Sequence, residues 1–60
     1  MAEVLMHLAL PGLAQEISKE EYLHRIMFHG YPLIAAKQSL NAALRAGSVK
    51  LRDGKVKRLK

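Results

Sequence analysis

The amino-acid sequence predicts an α+β domain, mainly α, in which three helices precede a C-terminal two-stranded β-hairpin. Three observations carry this. Residues 48–60, SVKLRDGKVKRLK, alternate apolar and basic side chains around Asp53-Gly54. Asp-Gly between alternating residues is the strongest short-range hairpin signal, because a type I′ turn needs φ > 0 at both central positions. Ser18-Lys19-Glu20-Glu21 has the form of a capping box ahead of an apolar stripe, and Pro32 and Gly47 bracket a third periodic segment.

The hairpin fixes its own register. A two-residue turn pairs Arg52 with Lys55, Leu51 with Val56, and Val49 with Arg58. Leu51 and Val56 then share a face that can rest on a core. Lys50, Arg52, Lys55 and Lys57 share the other face, where four cations repel one another unless an anion lies over them. An isolated hairpin is marginal in water, so the preceding helices must supply the apolar surface beneath it.

From the N-terminus, Val4, Leu5 and Leu8 lie at helical spacing, with Met1 one turn earlier, and the helix ends before Pro11-Gly12. Leu13 to Ile17 alternates weakly, and both a short strand and a plain connection fit it. In the capping box, the Ser18 hydroxyl accepts from the Glu21 amide and the Glu21 side chain reaches back to the Ser18 amide. Tyr22, Leu23, Ile26 and Met27 form the stripe of the second helix, which ends near His29 with Gly30 as its left-handed terminator. The third helix opens with Pro32 at its first position and stops at Gly47. With Leu33 at zero on a helical wheel, Leu40, Leu44, Ala36 and Ala43 fall within about 80° of it at 100° per residue, and form the expected core face. Ile34, Gln38, Asn41 and Arg45 form a polar stripe with an apolar head, Ala35, Ala42 and Ala46 occupy the far side, and Lys37 snorkels at the edge of the core face.

Composition narrows the function classes. Sixty residues make one small domain, spanning 1–60, of marginal stability. The initial methionine favours a stand-alone protein. There is no cysteine, so no disulfide staples the chain and a cytoplasmic location is expected. Apolar runs are short and broken by charge, so no membrane partner is expected, and the start has no basic residue to open a signal peptide. His7 falls off the first apolar stripe. His24 and His29 are five apart and do not share a helix face, so no metal pair is expected. No cysteine nucleophile, glycine-rich phosphate loop or serine–histidine–acid set is present, and Glu20-Glu21 is explained by the helix start. An enzyme, a cofactor and a small-molecule substrate are therefore not expected.

Charge points elsewhere. The net charge is +5, with a pI near 10. Residues 1–30 carry two basic and four acidic side chains, a net of −2, whereas residues 31–60 carry eight basic and one acidic, a net of +7. Such asymmetry suggests one face built for a polyanion, against the plainer reading of a solubilising surface.

The order helix, possible strand, helix, tight glycine turn, helix, basic hairpin resembles the winged-helix variant of the helix-turn-helix superfamily. The residues that carry the resemblance are Ser18–Gly30, Pro32–Gly47 and Ser48–Leu59, including the junction SLNAALRAGSVKLRDGK. The resemblance implies a recognition helix, 32–46, in the DNA major groove and a wing, 48–59, on the backbone or minor groove. Double-stranded DNA is then the expected partner, and the expected role is a small transcriptional regulator or a phage or plasmid accessory protein. Lys37, Gln38, Asn41, Arg45, Lys50, Arg52, Lys55, Lys57 and Arg58 are the candidate nucleic-acid contacts. Gln38 and Asn41 suit adenine edges and Arg45 suits guanine or a phosphate. A footprint this small binds weakly alone, so a homodimer or a larger protein partner would raise affinity. The alternative is a protein-docking or dimerisation module of the same fold.

Overall fold

The computed structural model describes the backbone of residues 2–60 and the side chains of residues 4–60. Met1, expected one turn before the first stripe, lies outside the described residues. The elements run α1 (Ala2–Ala9), β1 (Glu16–Ser18), α2 (Lys19–Phe28), α3 (Leu33–Arg45), β2 (Val49–Arg52) and β3 (Lys55–Arg58).

The sheet corrects the expected two-stranded hairpin. It has three antiparallel strands in the order β1-β3-β2; of the weakly alternating segment Leu13 to Ile17, Glu16 and Ile17 enter the strand β1, while Leu13 and Ala14 form a turn. The hairpin register agrees with the expectation at Arg52–Lys55, Leu51–Val56 and Val49–Arg58. Asp53 and Gly54 both have positive φ, +51° and +73°, as a type I′ turn requires. β1 covers the free edge of β3 by pairing Glu16 with Lys57, Ile17 with Val56 and Ser18 with Lys55. Main-chain hydrogen bonds extend this contact at both ends. The Lys19 amide donates to Gly54 O at 2.8 Å, and the Ala14 amide donates to Arg58 O at 3.0 Å. Ala14 sits at φ +64° to do so, a left-handed conformation that costs a non-glycine residue about 1–2 kcal/mol. The third strand turns a marginal hairpin into a sheet that can hold its place.

Helix ends follow their chemistry. The Ser18 hydroxyl accepts from the Glu21 amide at 3.0 Å. The reciprocal half of the capping box is replaced, because the Glu21 carboxylate accepts from Arg25 Nε at 3.2 Å, one turn along α2. Pro32 is the N-cap of α3 rather than its first helical residue. At the other end, Gly47 at φ +72° completes a Schellman motif: the Ser48 amide donates to Ala43 O at 2.9 Å and the Gly47 amide to Leu44 O at 3.2 Å. This turn feeds α3 directly into β2.

The core consists of Met6, Ala9, Leu10, Tyr22, Ile26, Ala36, Leu40, Ala43, Val49 and Val56, with Leu5, Ile17, Leu23 and Leu44 packed around it. Three expectations shift. In α1 the buried residues are Met6 and Ala9, followed by Leu10 just past the helix, while Val4 is exposed and Leu8 half-buried. AEVLMHLAL is apolar on more than one side, so its periodicity admits both registers. Leu51 is 40% exposed although Val49 is 3% exposed: it lies on the edge strand β2, whereas Val56 opposite it lies on the central strand β3 and is 0% exposed. In α3, Leu33 is exposed and Ser39 is buried, which rotates the core face by about 40° at 100° per residue. The Tyr22 hydroxyl explains the rotation. It lies 3.1 Å from Ser39 Oγ inside the core, and Ser39 Oγ donates onward to Ala36 O at 2.9 Å. With its one proton so used, Ser39 accepts and Tyr22 donates.

Two predictions follow from this packing. Leu40→Ala should cost about 2–5 kcal/mol in urea unfolding, while Leu33→Ala, at an exposed site, should stay near 0.5 kcal/mol; the reverse order would show the core face misassigned. Burial raises the Tyr22 phenol above its usual pKa of 10.0, only partly opposed by the Ser39 hydrogen bond. A raised folded pKa gives stability that is complete below the unfolded value and lost as pH rises through the folded one. Tyr22→Phe should therefore cost about 0.5–1.5 kcal/mol at pH 8, and the gap to wild type should narrow above pH 10. A gap independent of pH would contradict the buried, neutral phenol.

Candidate nucleic-acid interface

Turning Ser39 inward fixes what α3 shows to solvent. Ile34, Gln38, Asn41 and Arg45 are all exposed and lie opposite the line Ala36, Ser39, Leu40, Ala43. Ile34 to Arg45 spans about 16 Å at 1.5 Å per residue, the length of roughly five base-pair steps of 3.4 Å. Lys37 is exposed beside the stripe, and Ala35 and Ala42 flank it half-buried. Among the described residues, no hydrogen bond or ion pair ties down the side chains of Lys37, Gln38, Asn41 or Arg45. Their donors and acceptors are available to a ligand. Arg45 also sits in the last turn of α3, where a cation is favoured by the helix dipole.

The second surface is the outer face of the sheet. Ile17, Val49 and Val56 point to the helices, so alternation sends their neighbours outward. Lys50 lies opposite Lys57 and Arg52 opposite Lys55, and all four are exposed. Directly opposed like charges destabilise a sheet. The structure adds to this face what the chain order hides: β1 brings Glu16 beside Lys57 and Ser18 beside Lys55. Sequence reasoning missed both, since a pairing between segments some forty residues apart leaves no local signature. A cleft on this face is lined by Glu16, Lys50, Arg52, Lys57 and Leu59. The carboxylates near the cations are Glu16 and Asp53, the latter 3.9 Å from Arg52 Nε and largely exposed, a geometry that contributes little in water.

Arg58 is placed apart from the other candidates. It alternates onto the core side of β3, opposite Val49, and is half-buried. Its Nη1 donates to Leu10 O at 3.0 Å and Pro11 O at 2.8 Å, and its Nε to Lys60 O at 2.6 Å. Arg25 Nη1 likewise donates to Ala9 O at 2.9 Å. Arg25 thus satisfies one of the carbonyls left unpaired at the C-terminal end of α1, Arg58 satisfies two in the segment just after it, and Arg58 is held by the fold rather than offered outward.

The outward stripe of α3 and the basic sheet face are joined by the Gly47 turn, with Arg45 on one side and Lys50 on the other. A further groove, lined by Leu8, Glu21, His24, Arg25, Phe28 and His29, runs between α1 and α2. Its histidines belong to no metal-binding group among the described residues. None of the described helices is long and apolar enough to cross a membrane. Comparison of the chain with protein-family models, with curated proteins and with solved structures finds no match.

Proposed function

We propose that this chain binds double-stranded DNA in the cytoplasm as a winged-helix module, with α3 in the major groove and the β2–β3 hairpin on the backbone or minor groove. A small transcriptional regulator, or a phage or plasmid accessory protein, is the role that suits it. The observation that carries this is the outer sheet face. Lys50 against Lys57 and Arg52 against Lys55 are two like-charged cross-strand pairs, an arrangement a polyanion relieves. Support also comes from the strand ahead of α2 pairing with the last strand, which supplies the first strand expected of a winged helix. In this reading Lys50, Arg52, Lys55, Lys57 and Lys37 neutralise phosphates and set register without reading sequence. Gln38 and Asn41 read adenine edges, and Arg45 reads guanine or anchors a phosphate.

A protein-docking role is the second reading, favoured by one observation. Phe28 is 88% exposed at the end of α2, and Tyr31, Leu33 and Ile34 are exposed just beyond it. Exposed apolar groups gathered in one region mark contact surfaces.

The two surfaces have different chemistry, so substitutions separate them. Lys57→Ala should weaken specific and random duplexes alike and lower the slope of log K against log salt by about 0.9. Asn41→Ala should leave that slope unchanged and cost about 1–3 kcal/mol on the preferred duplex alone. Affinities measured for both variants on both duplexes at several salt concentrations decide the matter. Reversed effects would make the hairpin the reader. No effect of either substitution would leave the basic face a solvated surface and favour protein docking.

A further inference from the structure

We infer that Ile34 reads the methyl group of a thymine, so that the preferred duplex carries a thymine within two base pairs of the position read by Gln38. This rests on the DNA-binding reading of α3 above and adds a specificity-determining contact to it. Ile34 is 69% exposed and heads the same outward line as Gln38, Asn41 and Arg45, at spacings of four, three and four residues. The three polar members have side chains that hydrogen-bond to base edges. Ile34 has none. On the major-groove edges of the four base pairs the apolar feature is the thymine C5-methyl group, which aliphatic side chains contact.

The residue is suited to that contact in two further ways. A β-branched side chain in a helix holds one χ1 rotamer strongly, so little freedom is lost when it meets a base. Its neighbour Ala35 and, about two turns further on, Ala42 are small, which lets the backbone approach the groove. Helical rise then sets the spacing. Four residues advance about 6 Å, a little under two steps of 3.4 Å, so the methyl group and the Gln38 contact fall on adjacent or next-adjacent base pairs.

The experiment starts from a duplex selected by the wild-type protein out of a randomised pool. Each thymine is replaced in turn by deoxyuridine, which keeps Watson–Crick pairing and removes the methyl group alone. One replacement should weaken wild-type binding about fourfold, the worth of one buried carbon group. Ile34→Ala should bind the thymine duplex about as weakly as wild type binds the deoxyuridine duplex, and should not distinguish the two. Ile34→Val, which keeps a branched apolar tip, should retain part of the discrimination. The base pair whose preference is lost in Gln38→Ala should lie within two positions. Sequence-specific binding that is indifferent to deoxyuridine at every position, or a thymine preference that survives Ile34→Ala, would overturn this inference and leave DNA binding standing. A self-associated state abolished by Ile34→Ala would also overturn it, since Ile34 would then serve a protein contact. Absence of binding to any duplex would overturn both.

Discussion

The hydrogen bond from the Tyr22 hydroxyl to Ser39 Oγ sets the orientation on which the rest of the molecule depends. Both groups are buried, and a buried hydroxyl without a partner would cost about 1–3 kcal/mol. Ser39 meets that requirement for Tyr22 and meets its own through Ala36 O, so no buried side-chain polar atom among the described residues is left unpaired. The consequence is rotational. With Ser39 facing α2, Ala36, Leu40 and Ala43 are buried on the same side, and the line from Ile34 to Arg45 faces solvent. A polar pair at the α2–α3 contact thus decides which side chains a partner could meet.

A second constraint ties the sheet to the helices. With 60 residues, the domain buries a modest share of its surface, and its stability leaves no room for unpaired main chain. Arg25 donates to the Ala9 carbonyl at the end of α1, and Arg58 to the Leu10 and Pro11 carbonyls just after it. Arg58 belongs to β3, so this contact fixes the last strand against the first helix across almost the whole chain. β1 then fills the edge of β3 and presses Ile17 toward Val56. The apolar side of the sheet is thereby committed to the core, and the cationic side is committed to solvent.

What could be read from sequence was what local chemistry controls. Asp53-Gly54 fixed the hairpin register, Ser18 marked the start of α2, and Gly30 and Gly47 marked helix ends, because each acts within a few residues of itself. What could not be read depends on distant partners. β1 is a strand because β3 is there to pair with it, and its three residues hold a single inward apolar side chain. Arg58 resembled its basic neighbours by charge, although the hairpin register alone already put it on the side of Val49 and Val56. The rotation of α3 turned on a serine, which a wheel of apolar residues does not weigh. On the candidate interface, Gln38, Asn41, Arg45 and the four hairpin cations lie exposed as their periods imply, whereas Glu16 joins the cationic face through a pairing invisible along the chain.

The central claim is that one DNA duplex engages the outward line of α3 and the outer face of the β2–β3 hairpin together. Titrating labelled protein with duplex DNA while following backbone amide shifts tests it most directly. The account predicts shifts concentrated in Ile34–Arg45 and Lys50–Lys57, with the amides around Arg58 moving less because that side chain is already held by main-chain carbonyls. A spectrum that does not respond, or shifts confined to α1, α2 and the exposed turn around Phe28, would contradict it.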